Sequence, residues 1–249
     1  MINNRHKTNT INKHTDKVNM KYRNIRLSLL IVLIFTFNIA NAQTKFGIRS
    51  GLNISNVTDK SENGDKQNTK SLSGLLIGLT ADVHLADNFY IQPALQYARK
   101  GFKQERGGFG SATNLRVKAD YLELPVNFLY KPKLGMGRLL LGAGPYVAYG
   151  TGGSWKSDTD IIIGDIVSKG NGNVAFRNDA SVRNDSEYNY GRPFDYGFNA
   201  TVGYEFRECL SLQITGTAGI ANLVPHFNGY QPGGSLRNRG LGISIGYKL

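Results

Sequence analysis

The sequence predicts an all-β fold, an eight-stranded antiparallel up-and-down transmembrane β-barrel. Three observations predict it. First, Phe194 to Phe206 (FDYGFNATVGYEF) puts Phe194, Tyr196, Phe198, Ala200, Val202, Tyr204 and Phe206 on one face of a strand, and Asp195, Gly197, Asn199, Thr201, Gly203 and Glu205 on the other. Second, about eight such segments follow one another, with long and short connections in turn. Third, rings gather near the strand ends, and charge recurs on the opposite face. One alternating strand also fits a soluble sandwich or barrel, so the pattern of the whole chain carries the expectation.

The segments run in order. Phe46 to Asn56 aligns Phe46, Ile48, Leu52 and Ile54 against Arg49, Gly51, Asn53 and Ser55. Residues 57–70 are polar and read as a loop. Ser71 to Leu85 carries Asp82 and His84 opposite its apolar face, and Ala86-Asp87-Asn88 turns the chain. Phe89 to Lys100 is the third segment, followed by a Gly-rich loop at 101–114. Leu115 to Tyr130 aligns Leu122, Leu124, Val126 and Phe128 against Tyr121, Glu123, Pro125 and Asn127. Pro125 lacks an N–H and predicts a bulge there. Arg138 to Gly150 is the fifth segment. Residues 151–192 form a long insertion, and the Phe194 strand is sixth. Arg207-Glu208 is a turn, Leu210 to Ile220 the seventh segment, and Gly240 to Leu249 the eighth.

Long connections follow segments one, three, five and seven, as outer loops do in a barrel with short periplasmic turns. Phe89, Phe128, Tyr130, Tyr204, Phe206 and Tyr247 fall toward the short turns. Tyr97, Tyr149, Phe194 and Tyr196 fall toward the long loops, giving two aromatic girdles. The other face carries Arg49, Asp82, His84, Glu123, Glu205 and Lys248, expected as a polar cluster in the lumen, where buried charges must pair.

The N-terminus reads as an export signal. Lys21, Arg23 and Arg26 precede an apolar run from Leu27 to Phe37, and Asn38-Ile39-Ala40-Asn41-Ala42 supplies an A-x-A site. Cleavage is expected between Ala42 and Gln43. Residues 1–42 are thus an N-terminal extension plus signal peptide, with Met20 read as the true start, and residues 43–249 are the barrel. The run is too short for a membrane helix, so a barrel is the remaining route across a bilayer. Half of the net charge of +12 is this segment's. Residues 1–42 hold seven Lys or Arg and one acid, leaving 23 basic and 17 acidic residues beyond them. That excess forms no run, so no nucleic-acid partner is expected. Cys209 is the one cysteine, expected to be buried and structural.

Several elements resemble the PorT-like outer-membrane β-barrel family of bacteria. They are ANAQ at the cleavage site, FGIRSGLNISN, FYIQPALQYARKGF, YLELPVNFLYKP, LLLGAGPYVAYG and GLGISIGYKL. The segment in the fourth strand is the most specific. The resemblance covers nearly all of residues 43–249 and implies an eight-stranded barrel in the outer membrane. It implies no single activity, although one namesake member is tied to secretion through that membrane. The chain departs from the usual aromatic ending, with Leu249 last and Tyr247 the nearest ring.

No catalytic constellation stands out. His84 reads as a satisfied lumen histidine. His226 lies near Ser235 without the spacing of a nucleophile and its base. Asp158, Asp160 and Asp165 lack the spacing of a calcium loop, and no metal or cofactor is expected. The Gly-rich GAGPYVAYGTGG sits on a strand, where small residues relieve crowding, rather than on a phosphate loop. In the insertion, Ile161-Ile162-Ile163 and Val174-Ala175-Phe176 are expected to pair as a hairpin about Gly170-Asn171-Gly172. Trp155 is expected as an interface anchor.

The expectation is a monomeric, non-enzymatic outer-membrane protein, not an open pore. Its partners are outer-membrane lipid, the barrel-assembly machinery during insertion, and a protein partner at the outer loops, chiefly 151–192. Alternatives are an accessory role in a secretion system, a lipid-modifying enzyme, and a soluble periplasmic barrel.

Overall fold

A computed structural model describes residues 44–106, 112–163, 166–181 and 187–249. The calls on residues 1–43, including the Ala42/Gln43 cleavage site and Met20, lie outside the described residues, as does Asp165.

Thirteen strands are described: β1 (Thr44–Lys60), β2 (Lys70–Ala86), β3 (Phe89–Arg106), β4 (Thr113–Tyr130), β5 (Lys133–Leu134), β6 (Gly137–Lys156), β7 (Ile161–Ile163), β8 (Ile166–Ser168), β9 (Asn171–Phe176), β10 (Glu187–Gly191), β11 (Phe194–Phe206), β12 (Leu210–Gly219) and β13 (Ser235–Lys248). Eight of them close into a ring, β1-β2-β3-β4-β6-β11-β12-β13 and back to β1. Ile48 opposite Tyr247 and Phe128 opposite Ala143 mark two of its seams. Consecutive barrel strands are neighbours throughout, as in an up-and-down barrel.

The strand faces divide as the alternation predicts. Phe198, Val202, Ile214 and Ile243 face outwards at 59%, 47%, 43% and 44% exposure, while Glu123 and Glu205 are 5% and 3% exposed inside. In water, each such aliphatic or aromatic chain would forgo about 1.5–3 kcal/mol of burial. Facing acyl chains, it forgoes nothing. Rings meet at both ends of this surface. Phe89 packs 5.6 Å from Phe128 and 5.0 Å from Tyr130 near the short turns, and Tyr149 packs 5.1 Å from Phe194 near the long loops.

The barrel strands run further than the alternation of apolar-out residues predicts. β1 continues to Lys60, β3 to Arg106 and β6 to Lys156, and β13 begins at Ser235. Along these extensions the polarity inverts. Phe102, Leu115, Val117 and Trp155 are buried inside, while Lys103, Arg116 and Lys156 are exposed outside. Above the bilayer the exterior meets water, so ordinary soluble burial resumes.

Four expectations are corrected. Pro125 stands opposite Tyr146 without a shift; the bulge lies at Asp120/Tyr121, where β6 accommodates the extra Thr151 between Gly150 and Gly152. Ile161–Ile163 pair with Ile166–Ser168, not with Val174–Phe176. β9 instead lies antiparallel to β6 and parallel to β10, so the insertion is sewn onto the barrel sheet. Trp155 is 2% exposed inside the upper barrel, not an interface anchor. Cys209 is only partly buried, in the β11–β12 turn. That turn closes through Cys209 N donating to Phe206 O at 3.1 Å. Arg207 and Glu208 both have positive φ, 44° and 62°.

Candidate functional site

The lumen is lined by buried polar and charged side chains, and inward-facing strand positions build it. Nearest the short turns, Lys131 and Lys248 each contact both Asp82 and Glu205. Gln92 Nε2 donates to Asp82 at 2.6 Å, and the Lys131 ammonium lies 4.6 Å from the Tyr90 ring centroid.

One layer up, Arg49 donates to Gln96 and, at 3.4 Å, to Gln213. Gln96 Nε2 passes the chain on to Glu123 Oε2 at 2.7 Å. Above that, Lys100 Nζ lies 2.6 Å from Glu123 Oε1 and 3.1 Å from Asp195 Oδ2. At 2.6 Å the Lys100 ammonium is the direct partner of Glu123 Oε1. Tyr146 and Asn238 donate to the same Asp195 oxygen at 3.2 and 2.9 Å, and Tyr190 donates to Asn238 at 2.6 Å.

Arg49, Lys100, Lys131 and Lys248 therefore face Asp82, Glu123, Asp195 and Glu205, and the network is charge-balanced. Charges in so narrow a lumen persist only when paired and hydrogen-bonded. The cavity left between the middle layers has a volume of about 20 Å³, edged by Arg49, Gln96, Glu123 and Asn127. That is room for water and for little else.

Above the network the interior is apolar. Tyr121, Phe176 and Tyr190 pack edge-to-face or tilted, with centroids 5.1–6.3 Å apart, among Leu115, Val117, Trp155 and Leu223. A Cβ on Gly150 would sit 2.5 Å from the Phe176 ring, so glycine there admits the ring from the insertion. Ion pairs fill the membrane level, and aromatic packing closes the outer end.

Of the six residues expected together, Asp82, Glu205 and Lys248 share one cluster, and Arg49 and Glu123 are joined through Gln96. His84 is apart from both. Its Nε2 lies 2.9 Å from the Asp87 carbonyl oxygen, and its ring 5.0 Å from Tyr90, at the β2–β3 turn. Sequence reasoning missed Lys100, Lys131 and Asp195. Lys100 shares the polar face of the third segment with Gln92 and Gln96, and Asp195 that of the sixth with Asn199. Lys131 follows the last residue of β4, just outside the alternating fourth segment.

The loop acids serve local structure. Asp158 Oδ2 accepts from Asn114 at 2.9 Å, and Asp160 Oδ1 accepts from the Gly170 amide at 3.0 Å. His226 faces Arg192, 3.4 Å away, while Ser235 pairs with Lys60 on the β1–β13 seam. Asp179 ties the insertion to the β12–β13 loop. It accepts from the amides of Ser181, Asn228 and Gly229 at 2.9, 3.2 and 2.9 Å. The Ser181 hydroxyl first, and then these amides, hold its carboxyl down to about 2. At the opposite rim, Lys45 and Arg138 hold the Glu208 carboxyl down to about 2.

Residues 40–224 match the family described as outer membrane protein beta-barrel domain. No curated protein matches the chain. Among solved structures, the attachment invasion locus protein Ail of Yersinia pestis is similar at 10% identity, covering 82% of this chain and 98% of that one, with a TM-score of 0.38. The outer membrane protein OprG of Pseudomonas aeruginosa is similar at 14% identity, 84% and 97% coverage and a TM-score of 0.43. The outer membrane protease OmpT of Escherichia coli is similar at 13% identity, 83% and 96% coverage and a TM-score of 0.36. Likeness at this level says nothing about activity.

Proposed function

Because the chain belongs to the outer membrane protein beta-barrel domain family, we propose that it is a closed, monomeric barrel of the bacterial outer membrane whose work is done by its outer loops. Its role is structural or interactive, not that of an open pore or an enzyme. The observation that carries this reading is the filled lumen: a charge-balanced network around Lys100 and Lys131, sealed above by Tyr121, Phe176 and Tyr190. The outer surface supports it as well. β9 and β10 extend the barrel sheet, and Asp179 clamps the insertion to the last long loop, so the described part of the insertion presents a built face. Export through the 1–42 signal and insertion by the barrel-assembly machinery belong to the same proposal.

Planar-bilayer recording of the purified full chain tests it. Flat traces are expected, and stepwise conductance would overturn it. Crosslinking from the 151–192 loop, followed by co-purification, would then identify the partner.

Within the family, the YLELPVNFLYKP segment favours a PorT-like member and hence an accessory role in secretion. That reading requires a secretion component among the crosslinked proteins. A lipid-modifying enzyme has less support. His84 is engaged by the turn carbonyl of Asp87 and His226 by Arg192, and neither sits beside a nucleophile among the described contacts.

A further inference from the structure

A row of cations crosses the outside of the barrel above the upper girdle. Lys70 stands directly opposite Lys103, Lys103 opposite Arg116, and Arg116 opposite Lys156. Each is exposed. Like charges directly across a ladder destabilise it, and here three such pairs follow one another. Lys118, one outward step lower on β4, adds a fifth charge, and Arg99 a sixth.

Carboxylates answer only part of this. Glu105 pairs with Lys70, and Asp120 accepts from Arg99 at 2.7 and 3.1 Å. Among the described residues, no carboxylate pairs with Lys103, Arg116, Lys118 or Lys156. At the short-turn end a single such pair is described, Lys133 opposite Arg138, and Glu208 there answers Arg138 and Lys45.

The height of the row selects its occupant. Lys103 is six residues above Tyr97 on β3, about 20 Å along the strand. With a strand tilt of about 40°, that is about 15 Å above the girdle. Arg99 and Lys118 fill the interval. A phospholipid headgroup extends only about 5–8 Å beyond the hydrocarbon core. A phosphate-bearing sugar headgroup reaches higher. The guanidinium of Arg116 suits bidentate binding of phosphate, and the lysines suit it as point charges.

We propose that the outer face of β2, β3, β4 and β6 is a docking surface for phosphorylated glycolipid of the surrounding outer leaflet, held by Lys103, Arg116, Lys118 and Lys156. The surface belongs to the barrel wall and does not depend on what the loops contact.

The test uses the full chain refolded in neutral detergent micelles. It is titrated with a phosphorylated lipid A–core glycolipid, the same glycolipid after phosphatase treatment, and inorganic phosphate. The phosphorylated form should bind at least about tenfold more tightly than the dephosphorylated form, and the preference should fall at high salt. K103E/R116E should abolish the preference, and K133E/R207E, which places the same charge change at the short turns, should keep it. Heat-modifiable migration on unboiled gels establishes that each variant is folded. If K103E/R116E does not fold, K103Q/R116Q replaces it with the same expectation. Equal binding of the two glycolipids, an unchanged preference in a folded K103/R116 variant, or inorganic phosphate binding as tightly as the glycolipid would each overturn the proposal.

Discussion

Lys100 Nζ lies 2.6 Å from a carboxylate oxygen of Glu123 inside the barrel. The backbone register sets Glu123 opposite Gln96, so the lysine side chain reaches along its strand to meet the acid. There it is also shared with Asp195 and lies 5.0 and 4.7 Å from the ring centroids of Tyr121 and Tyr146. Lys100 joins the ionic and aromatic halves of the plug.

Replacing Lys100 with Met keeps its length and removes its charge, leaving Glu123 and Asp195 buried without their cation. Loss of one partner from a buried pair costs about 3–5 kcal/mol. Urea unfolding from lipid vesicles should show a loss of that order. K100M/E123Q/D195N, which removes the charges together, should recover most of it. A single variant as stable as the wild type would contradict the role given to Lys100.

The glycine-rich stretch of β6 makes a steric prediction. A Cβ on Gly144 would sit 1.9 Å from the backbone oxygen of Val126 and 2.8 Å from the Cα of Asn127, on the neighbouring strand. Neither backbone atom can move alone. Gly144→Ala should destabilise the barrel by about 1–3 kcal/mol and reduce the folded, heat-modifiable fraction. A neutral effect would show that β4 and β6 are not so closely apposed.

Asp179 makes the joint between the insertion and the β12–β13 loop dependent on pH. Its carboxyl is held at about 2 in the fold, below an unfolded value of about 3.9. For a depressed carboxyl, the stabilisation is fully present above the unfolded value and is lost as pH falls through the folded one. Amide protection at Gly229 should be complete above about pH 4 and decline toward pH 2. Asp179→Asn should remove that dependence. Protection that is flat over this range in the wild type would contradict the assignment.

The membrane-level barrel was legible in the sequence because its two environments are opposites. Phe198 and Val202 alternate with Asn199 and Thr201, and a period of two records which side meets lipid. The upper barrel was not legible to the same rule. Leu115, Val117 and Trp155 point inwards there, while Arg116, Lys118 and Lys156 point outwards. The outward positions turn charged once they face water, so the first, third, fifth and eighth segments stop short of β1, β3, β6 and β13. Lys131 was missed for a related reason. It lies just past the last residue of β4, where the alternation has ended, yet its side chain returns to Asp82. The pairing of the insertion was hidden too. Val174 meets Tyr188 in a parallel ladder, and local sequence carries no signal for that register.

The most direct measurement is the environment of single spin labels along β11 and β12, with the protein in lipid bilayers. Labels at Phe198, Val202 and Ile214 should relax strongly with oxygen, which concentrates in acyl chains, and weakly with a water-soluble nickel reagent. Labels at Asn199, Thr201 and Gln213 should be shielded from oxygen. The opposite pattern, with Phe198, Val202 and Ile214 hidden from lipid and the polar positions open, would contradict the account at its base.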